Sequence, residues 1–307
     1  MTTDMNPATL MASANGIDLA YDSFGDASAP PILLIAGLGA QMIRWAEPFC
    51  MTLVARGFRV IRFDNRDSGL STHFGYAPAP DFNAMRDGAI PVASYGLDNM
   101  AADAIGLLDA LGLERAHLVG RSMGGMIAQI MASSYPSRVL SLTSIMASSG
   151  NPALPPPDSA LMAMMMSPAP DPRVDRDGFV AHRLRFARRL ASPAHPFDDD
   201  GQRTLILAEL RRGRDLGGAA RQMVAVAIDG DRRERLARIT APALAIHGTA
   251  DPMFPLAHGQ DTSTSIPHAR FMPVEGMGHD LPEMFHADVI GAMEQVMGKA
   301  SSAALAQ

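Results

Sequence analysis

One serine lies in a setting that could make it a nucleophile. Ser122 is flanked by Gly120, Gly124 and Gly125, follows a short apolar run at residues 117–119, and precedes a helical pattern. In a tight turn from a strand into a helix, small neighbours allow a serine to take strained backbone angles and to expose its hydroxyl. We therefore predict Ser122 as a nucleophile, while the glycine pattern by itself also fits an ordinary turn.

A histidine near the end of the chain is the predicted base for this serine. A serine hydroxyl is a weak nucleophile at neutral pH and needs a base within hydrogen-bond reach. Of the nine histidines, we choose His279, because it follows two glycines in a loop, residues 276–282, directly after the last predicted strand. The alternative is a solvent-facing loop histidine. His247 ends another strand and is interpreted as structural.

An imidazole base needs a carboxylate that fixes its tautomer and stabilises its charged form. Asp251 follows the predicted strand 243–247 and precedes Pro252, so it should lie at the same sheet edge as Ser122 and His279. A turn-capping aspartate before proline is the alternative. Asp229 and Asp231 precede that strand and would emerge at its other end. We predict Asp251 as the orienting acid.

Two backbone N–H groups are expected to stabilise an oxyanion. A tetrahedral intermediate of acyl transfer needs donors that are already in place. The N–H of Met123, the residue after the nucleophile, is one candidate. The second should come from the loop after the strand 31–36, where we choose the N–H of Leu38 over its neighbours.

Short apolar runs that alternate with helical patterns indicate how these residues are positioned. Such runs are typical of parallel strands covered on both faces, so we predict a mostly parallel, doubly wound α/β sheet. Residues 16–24 alternate more strongly and predict an antiparallel hairpin at the sheet edge. Helices are predicted at residues 97–111 and 125–134, and strands at 31–36, 59–63, 117–119, 139–146, 243–247 and 269–274.

The alternation of strands and helices stops between residues 151 and 235. This stretch begins with several prolines, has helical character without a strand candidate, and predicts a helical cap inserted after the sixth strand, over the carboxyl edge where ligands bind such sheets. We expect a core of residues 1–150 and 236–300, a cap of residues 151–235 and a frayed tail at 301–307. Met162, Met165 and Met166 could line an adaptable substrate pocket, or could equally fill a helix–sheet interface.

Composition restricts the classes of partner. The chain has 307 residues, 47% hydrophobic residues and a net charge of −6, so neither nucleic acid nor an anionic membrane is an expected partner. The single Cys50 excludes an internal disulfide and a cysteine-based zinc site, and we expect it to be a small buried hydrophobe on a helix. We predict no metal, no membrane span and no secretory signal, hence a cytoplasmic protein. The oligomeric state is left open.

From Gly16 to Met297 the chain resembles the α/β-hydrolase family. The resemblance rests on Gly120-Arg121-Ser122-Met123-Gly124-Gly125, on the order of serine, aspartate and histidine, and on the loop at residues 62–71. The chain is similar to serine esterases of the aclacinomycin methylesterase type and, more loosely, to cofactor-free haloperoxidases. The resemblance implies ester hydrolysis without a cofactor. We interpret the charged residues of the 62–71 loop as organising that loop.

The expected activity is hydrolysis of a small-molecule carboxylic ester through an acyl-enzyme intermediate. The cap has 14 Arg against 12 Asp and Glu between residues 158 and 235, so an uncharged, moderately apolar ester is predicted. The same residues would also support acyl transfer, perhydrolysis or hydrolysis of a C–C bond. In a different functional class, the fold could serve as a small-molecule receptor that turns over very slowly.

Overall fold

The protein is built around one eight-stranded sheet. The computed structural model describes residues 7–75, 92–213 and 217–304. The strands lie in the order β1-β2-β4-β3-β5-β6-β7-β8. Their bounds are β1 (Leu10–Ala14), β2 (Ile17–Phe24), β3 (Pro31–Ile35), β4 (Arg59–Phe63), β5 (Ala116–Arg121), β6 (Val139–Ile145), β7 (Ala243–Gly248) and β8 (Arg270–Val274).

Strands β3 to β8 run parallel, and helices cover both faces of the sheet. On β3, Leu33 packs into a cluster with helices α2 (Leu97–Ala110) and α3 (Met123–Ser134). Its neighbour Ile32 points to the other face, toward α1 (Glu47–Ala55) and α10 (His286–Ala304). Helix α9 (Ala257–Ser265) connects β7 to β8. Because both faces are buried, the strand is an uninterrupted apolar run. The predicted doubly wound parallel sheet is confirmed.

The antiparallel edge extends further toward the N-terminus than the sequence indicated. Strands β1 and β2 form a hairpin through a turn at Asn15 and Gly16, which have φ angles of 50° and 77°. Such paired positive angles suit a two-residue hairpin turn. The sequence predicts the hairpin only from Gly16 onward, because Leu10 and Met11 are half exposed and the inward face of β1 carries only the small side chains of Ala12 and Ala14.

The segment between β6 and β7 is helical, as predicted. It contains α4 (Ser159–Met166), α5 (Arg176–Leu190), α6 (Asp199–Arg211), α7 (Gly218–Asp229) and α8 (Arg233–Leu236). No strand occurs in its described parts, residues 151–213 and 217–235. We call residues 151–235 the cap; these bounds stay a prediction.

Three smaller features complete the fold. Helix α10 continues to Ala304, into the segment 301–307 that we expected to be frayed; residues 305–307 lie outside the described part. Cys50 is buried on α1, and burial raises the pKa of its thiol to about 12, as suits a small hydrophobe. No helix in the described ranges is long and apolar enough to cross a membrane.

Candidate active site

Ser122 lies at a strained turn between β5 and α3. Its φ and ψ angles are 55° and −125°, a conformation that is costly for a residue with a side chain. The turn is too tight for side chains at two neighbours. A Cβ atom at Gly120 would lie 2.1 Å from the carbonyl oxygen of Gly124, and one at Gly124 would lie 2.1 Å from that of Ile35. Both glycines are therefore needed for close backbone approach.

Ser122, His279 and Asp251 are hydrogen-bonded in series at the carboxyl edge of the sheet. The Ser122 hydroxyl Oγ lies 3.0 Å from His279 Nε2, and His279 Nδ1 lies 2.7 Å from Asp251 Oδ2. The three residues follow β5, β8 and β7, whose carboxyl ends point the same way. With Nδ1–H donating to the carboxylate, Nε2 carries the lone pair that can take the serine proton.

The Asp251 carboxylate is buried and satisfied by several donors. Its Oδ1 accepts the backbone N–H groups of Met253 at 2.8 Å and Phe254 at 2.9 Å. Burial by itself would raise the pKa of this carboxyl, but the charge and hydrogen bond of His279, with smaller effects of His247 and the Phe254 N–H, outweigh it and lower the pKa. The group is thus an anion at neutral pH and can stabilise an imidazolium.

His247 is buried beside this carboxylate but donates its ring N–H to a different acceptor. Its Nε2–H donates to the Phe254 carbonyl at 2.7 Å, while Nε2 lies 3.5 Å from Asp251 Oδ2. Burial lowers its pKa, so it is a neutral donor that fixes the 251–254 turn. This agrees with the structural role predicted for it.

The loop that carries His279 is held by the cap. The N–H of His279 donates to the Leu190 carbonyl at 2.8 Å, and the N–H of Gly278 donates to Ser192 Oγ at 2.9 Å. Ser192 in turn donates its N–H, at 2.9 Å, and its hydroxyl to Asp280 Oδ1. Sequence reasoning missed this contact, because nothing near residue 192 signals a partner in the histidine loop.

The loop that carries Leu38, one of the two expected oxyanion donors, packs against the turn of Ser122. A Cβ at Gly37 would be 3.3 Å from the Ser122 Cβ, so the loop after β3 packs directly against the nucleophile turn. In this loop the Gly39 N–H donates to Gln222 Oε1 at 2.7 Å and the Ala40 N–H donates to the Gly37 carbonyl. Among the described residues, no such acceptor faces the N–H of Leu38 or the N–H of Met123.

The charged loop after β4 lies against the cap. Asp64 accepts a hydrogen bond from Arg212 at 2.8 Å, and Asp67 forms a two-point ion pair with Arg221 at 2.7 and 2.9 Å. Asp67 also accepts from the Tyr95 hydroxyl at 2.6 Å, and both carboxylates are fully buried. These charges satisfy one another and organise the loop, in line with our interpretation of residues 62–71.

The methionines that we predicted as pocket residues lie on α4. Met162, Met165 and Met166 are all half-buried, whereas Leu161 on the same helix is fully buried. None of the three belongs to the buried clusters of the described residues. Their role in a pocket stays a prediction. Across the described ranges, no group of histidine, cysteine or acidic side chains could hold a metal ion.

Comparisons with known proteins agree with this architecture. Residues 30–283 match the model of the alpha/beta hydrolase fold family. Rhodomycin D methylesterase DauP of Streptomyces sp. (strain C5) is 32% identical over 303 residues, which cover 93% of this chain and 96% of that protein. Rhodomycin D methylesterase DnrP of Streptomyces peucetius is 31% identical with the same coverage.

Solved structures agree as well. A hydrolase from Pseudomonas aeruginosa has a TM-score of 0.66 and 27% identity, and the match covers 97% of this chain and 99% of that one. A thermophilic esterase from Thermogutta terrifontis has a TM-score of 0.68 at 22% identity, covering 94% and 99% of the two chains, and shows the fold alone. The chain therefore belongs to the α/β-hydrolase fold family, and its similarity to named methylesterases agrees with the carboxylesterase-type hydrolase predicted from the sequence.

Proposed function

We propose that this protein hydrolyses carboxylic esters with Ser122 as nucleophile, His279 as base and Asp251 as orienting acid. The observation that carries the proposal is the hydrogen-bonded series from the Ser122 hydroxyl through His279 to Asp251, with separations of 3.0 and 2.7 Å. These separations lie within the range in which a base can take the proton of its nucleophile.

In the first half of the reaction Ser122 Oγ attacks the ester carbonyl carbon while its proton passes to His279 Nε2. The carbonyl oxygen becomes an oxyanion that accepts hydrogen bonds from the N–H groups of Leu38 and Met123. The imidazolium then returns its proton to the departing alkoxide. The C–O bond to the alcohol breaks, and an acyl group remains on Ser122.

In the second half water takes the place of the alcohol. His279 accepts a proton from the water, whose oxygen attacks the acyl carbon, and the oxyanion forms again between the same two N–H groups. Collapse of this intermediate returns the proton to Ser122 Oγ and releases the carboxylic acid. Asp251 stays ionised and stabilises the imidazolium in both halves.

Methyl esters of molecules with an apolar body are the substrates we propose to examine first. Two relatives of 31% and 32% identity are named methylesterases, and both align along nearly the whole chain. The flexible thioethers of Met162, Met165 and Met166 on α4 would adapt to such a body. We propose that the cap, residues 151–235, forms the roof of this pocket above the core.

The proposal is tested by comparing turnover of a p-nitrophenyl ester and of a series of methyl esters by the wild type and Ser122→Ala. We expect the variant to lose at least about 10³-fold in rate while its circular dichroism spectrum is unchanged. Ser133→Ala is a matched control, since the Ser133 hydroxyl bonds only the Ile130 carbonyl on α3. Full activity of Ser122→Ala would reject the assignment, and an acyl-enzyme burst without steady turnover would favour the receptor alternative.

A further inference from the structure

Arg121, the residue before the proposed nucleophile, differs from five other arginines that are buried or half-buried. Its guanidinium carbon lies 5.5 Å from the centre of the Trp45 ring, and within the described ranges the side chain has neither a hydrogen bond nor a carboxylate within 4.0 Å. By contrast, each of the following arginines donates hydrogen bonds to a carboxylate: Arg44, Arg62, Arg66, Arg221 and Arg232.

The acidic groups near Arg121 already have other partners. Glu209 accepts two hydrogen bonds from Arg44, at 2.7 and 2.8 Å, and Asp280 accepts both donors of Ser192. Both carboxylates act on Arg121 only at longer range. A guanidinium has five N–H donors, so most of the donor capacity at this position is unmet by the described protein.

Hydrogen-bond donors are therefore in excess at this position. Burial, with a smaller effect of the Arg44 charge, lowers the Arg121 pKa to about 10, which leaves the group charged at neutral pH. The indole N–H of Trp45 also has no acceptor among the described residues. An unpaired charge is costly to bury, and an anionic ligand would offset that cost.

The position of Arg121 relates it to the proposed reaction. It is adjacent in the chain to Ser122, and Asp280, which acts on it electrostatically, is adjacent to His279. Arg121 is only half-buried, so a molecule can reach part of its side chain. A ligand group bound there can therefore belong to the same molecule as the ester that Ser122 attacks.

We propose that Arg121 binds a carboxylate of the substrate, so that the preferred substrates are esters carrying a second, ionised carboxyl group. The inference rests on the proposed function and adds a substrate class to it. This substrate class replaces the uncharged ester that we expected from the nearly equal numbers of arginines and acidic residues in the cap. Those numbers cover residues 158–235 and leave out Arg121, which belongs to the core. A guanidinium pairs with a carboxylate through two parallel hydrogen bonds, which gives it orientation as well as affinity.

The test measures binding without turnover. Trp45 is the single tryptophan of the chain and contacts Arg121, so its fluorescence reports directly on this position. In a Ser122→Ala background, monomethyl adipate and dimethyl adipate are titrated at pH 7.5. We expect the monoester to bind 10- to 100-fold more tightly than the diester, as for a charge-assisted hydrogen-bonded pair.

Arg121→Gln in the same background should reduce that ratio to about one, and Arg121→Lys should retain part of it. Arg238→Gln is the matched control, since Arg238 is exposed and remote in sequence from the site, and it should leave the ratio unchanged. Equal affinities of the two esters in the presence of Arg121, or no saturable signal with the monoester, would overturn the proposal.

Thermal unfolding provides a second readout that separates binding from structure. Removing an unpaired buried charge should leave the Tm of Arg121→Gln equal to or above that of the wild type. A Tm that falls by several degrees, with equal loss of binding for both esters, would assign Arg121 a structural role instead. The wild-type turnover assay tests ester hydrolysis separately, so failure of the function and failure of this inference give different results.

Discussion

Two of the contacts between the cap and the core differ in their chemistry. At the first contact, Arg212 and Arg221 pair with the buried carboxylates of Asp64 and Asp67 in the loop after β4. At the second, Ser192 and its neighbours bond the loop of His279, and three of the four hydrogen bonds there have a backbone N–H as the donor. The first contact involves no proposed catalytic group, whereas the second supports the proposed base directly.

This difference separates stability from activity. An ion pair with a fully buried carboxylate holds firmly while intact, and its loss leaves buried polar groups uncompensated. Hydrogen bonds to a loop are individually weaker but decide the position of the side chain that the loop carries. We therefore expect mutations at the first contact to destabilise the fold and mutations at the second to change the rate.

The largest expected effect is on stability, from Asp67→Asn at the first contact. The variant removes the buried carboxylate that accepts two hydrogen bonds from Arg221 and one from the Tyr95 hydroxyl, and the free energy of unfolding should fall by about 3–5 kcal/mol. Urea denaturation measures the change. Asp171→Asn is the matched control, because Asp171 pairs with Arg173 at the exposed surface and its loss should not move the midpoint. Equal midpoints for the two variants would contradict the account.

A smaller effect, on the rate, is expected from Ser192→Ala at the second contact. The change removes the acceptor of the Gly278 N–H and a donor to Asp280, a loss of about 1–2 kcal/mol that corresponds to roughly a tenfold fall in kcat. KM should change little, since Ser192 acts through the position of His279. Ser263→Ala, whose hydroxyl bonds only the Gln260 carbonyl, serves as control. A rise in KM at unchanged kcat would argue against a positioning role.

The smallest expected effect is a difference between Asp251 and Asp280, the two carboxylates next to His279, in how they change stability with pH. Burial raises the pKa of Asp280, against the hydrogen bonds of Ser192 and the charges of Arg121 and His279, whereas the Asp251 pKa is lowered. For Asp280 the folded state binds the proton more tightly, so stability should rise as pH falls through its raised pKa toward 3.8. For Asp251 the stabilisation is present above pH 3.8 and is lost as pH falls below that value.

Denaturation of the wild type, Asp251→Asn and Asp280→Asn between pH 3 and 7 measures both trends. At pH 7 we expect Asp280→Asn to be more stable than the wild type and Asp251→Asn to be less stable. As the pH is lowered, the stability of each variant should approach that of the wild type, from above for Asp280→Asn and from below for Asp251→Asn. Trends of the same sign would show that the two carboxylates do not differ as described.

Neither of the two contacts could be predicted from the sequence, although the site they support could. The parallel strands, the turn at Ser122 and the loops of Asp251 and His279 follow from local patterns and from the rule that parallel strands end at one edge. The bond from Ser192 to Asp280 joins residues 88 positions apart, and that from Arg221 to Asp67 joins residues 154 apart. Such pairs depend on how cap helices dock on the core, which no local pattern records.

Strand β1 was missed for a different physical reason. At the sheet edge it has one neighbour and mostly exposed or half-buried side chains, so its hydropathy resembles that of a loop. The buried strands are recognised because both faces are covered. Arg121 was visible in the sequence, but only the surrounding partners reveal that its donors are unmet.

Covalent labelling tests the central claim most directly. A fluorophosphonate that reacts with activated serines should increase the mass of the wild type by that of one bound label, and peptide mapping should locate this label on Ser122. The label should be absent from Ser122→Ala and slowed strongly by His279→Ala. Labelling of another residue, or full labelling of Ser122→Ala, would contradict the assignment of Ser122 as the nucleophile.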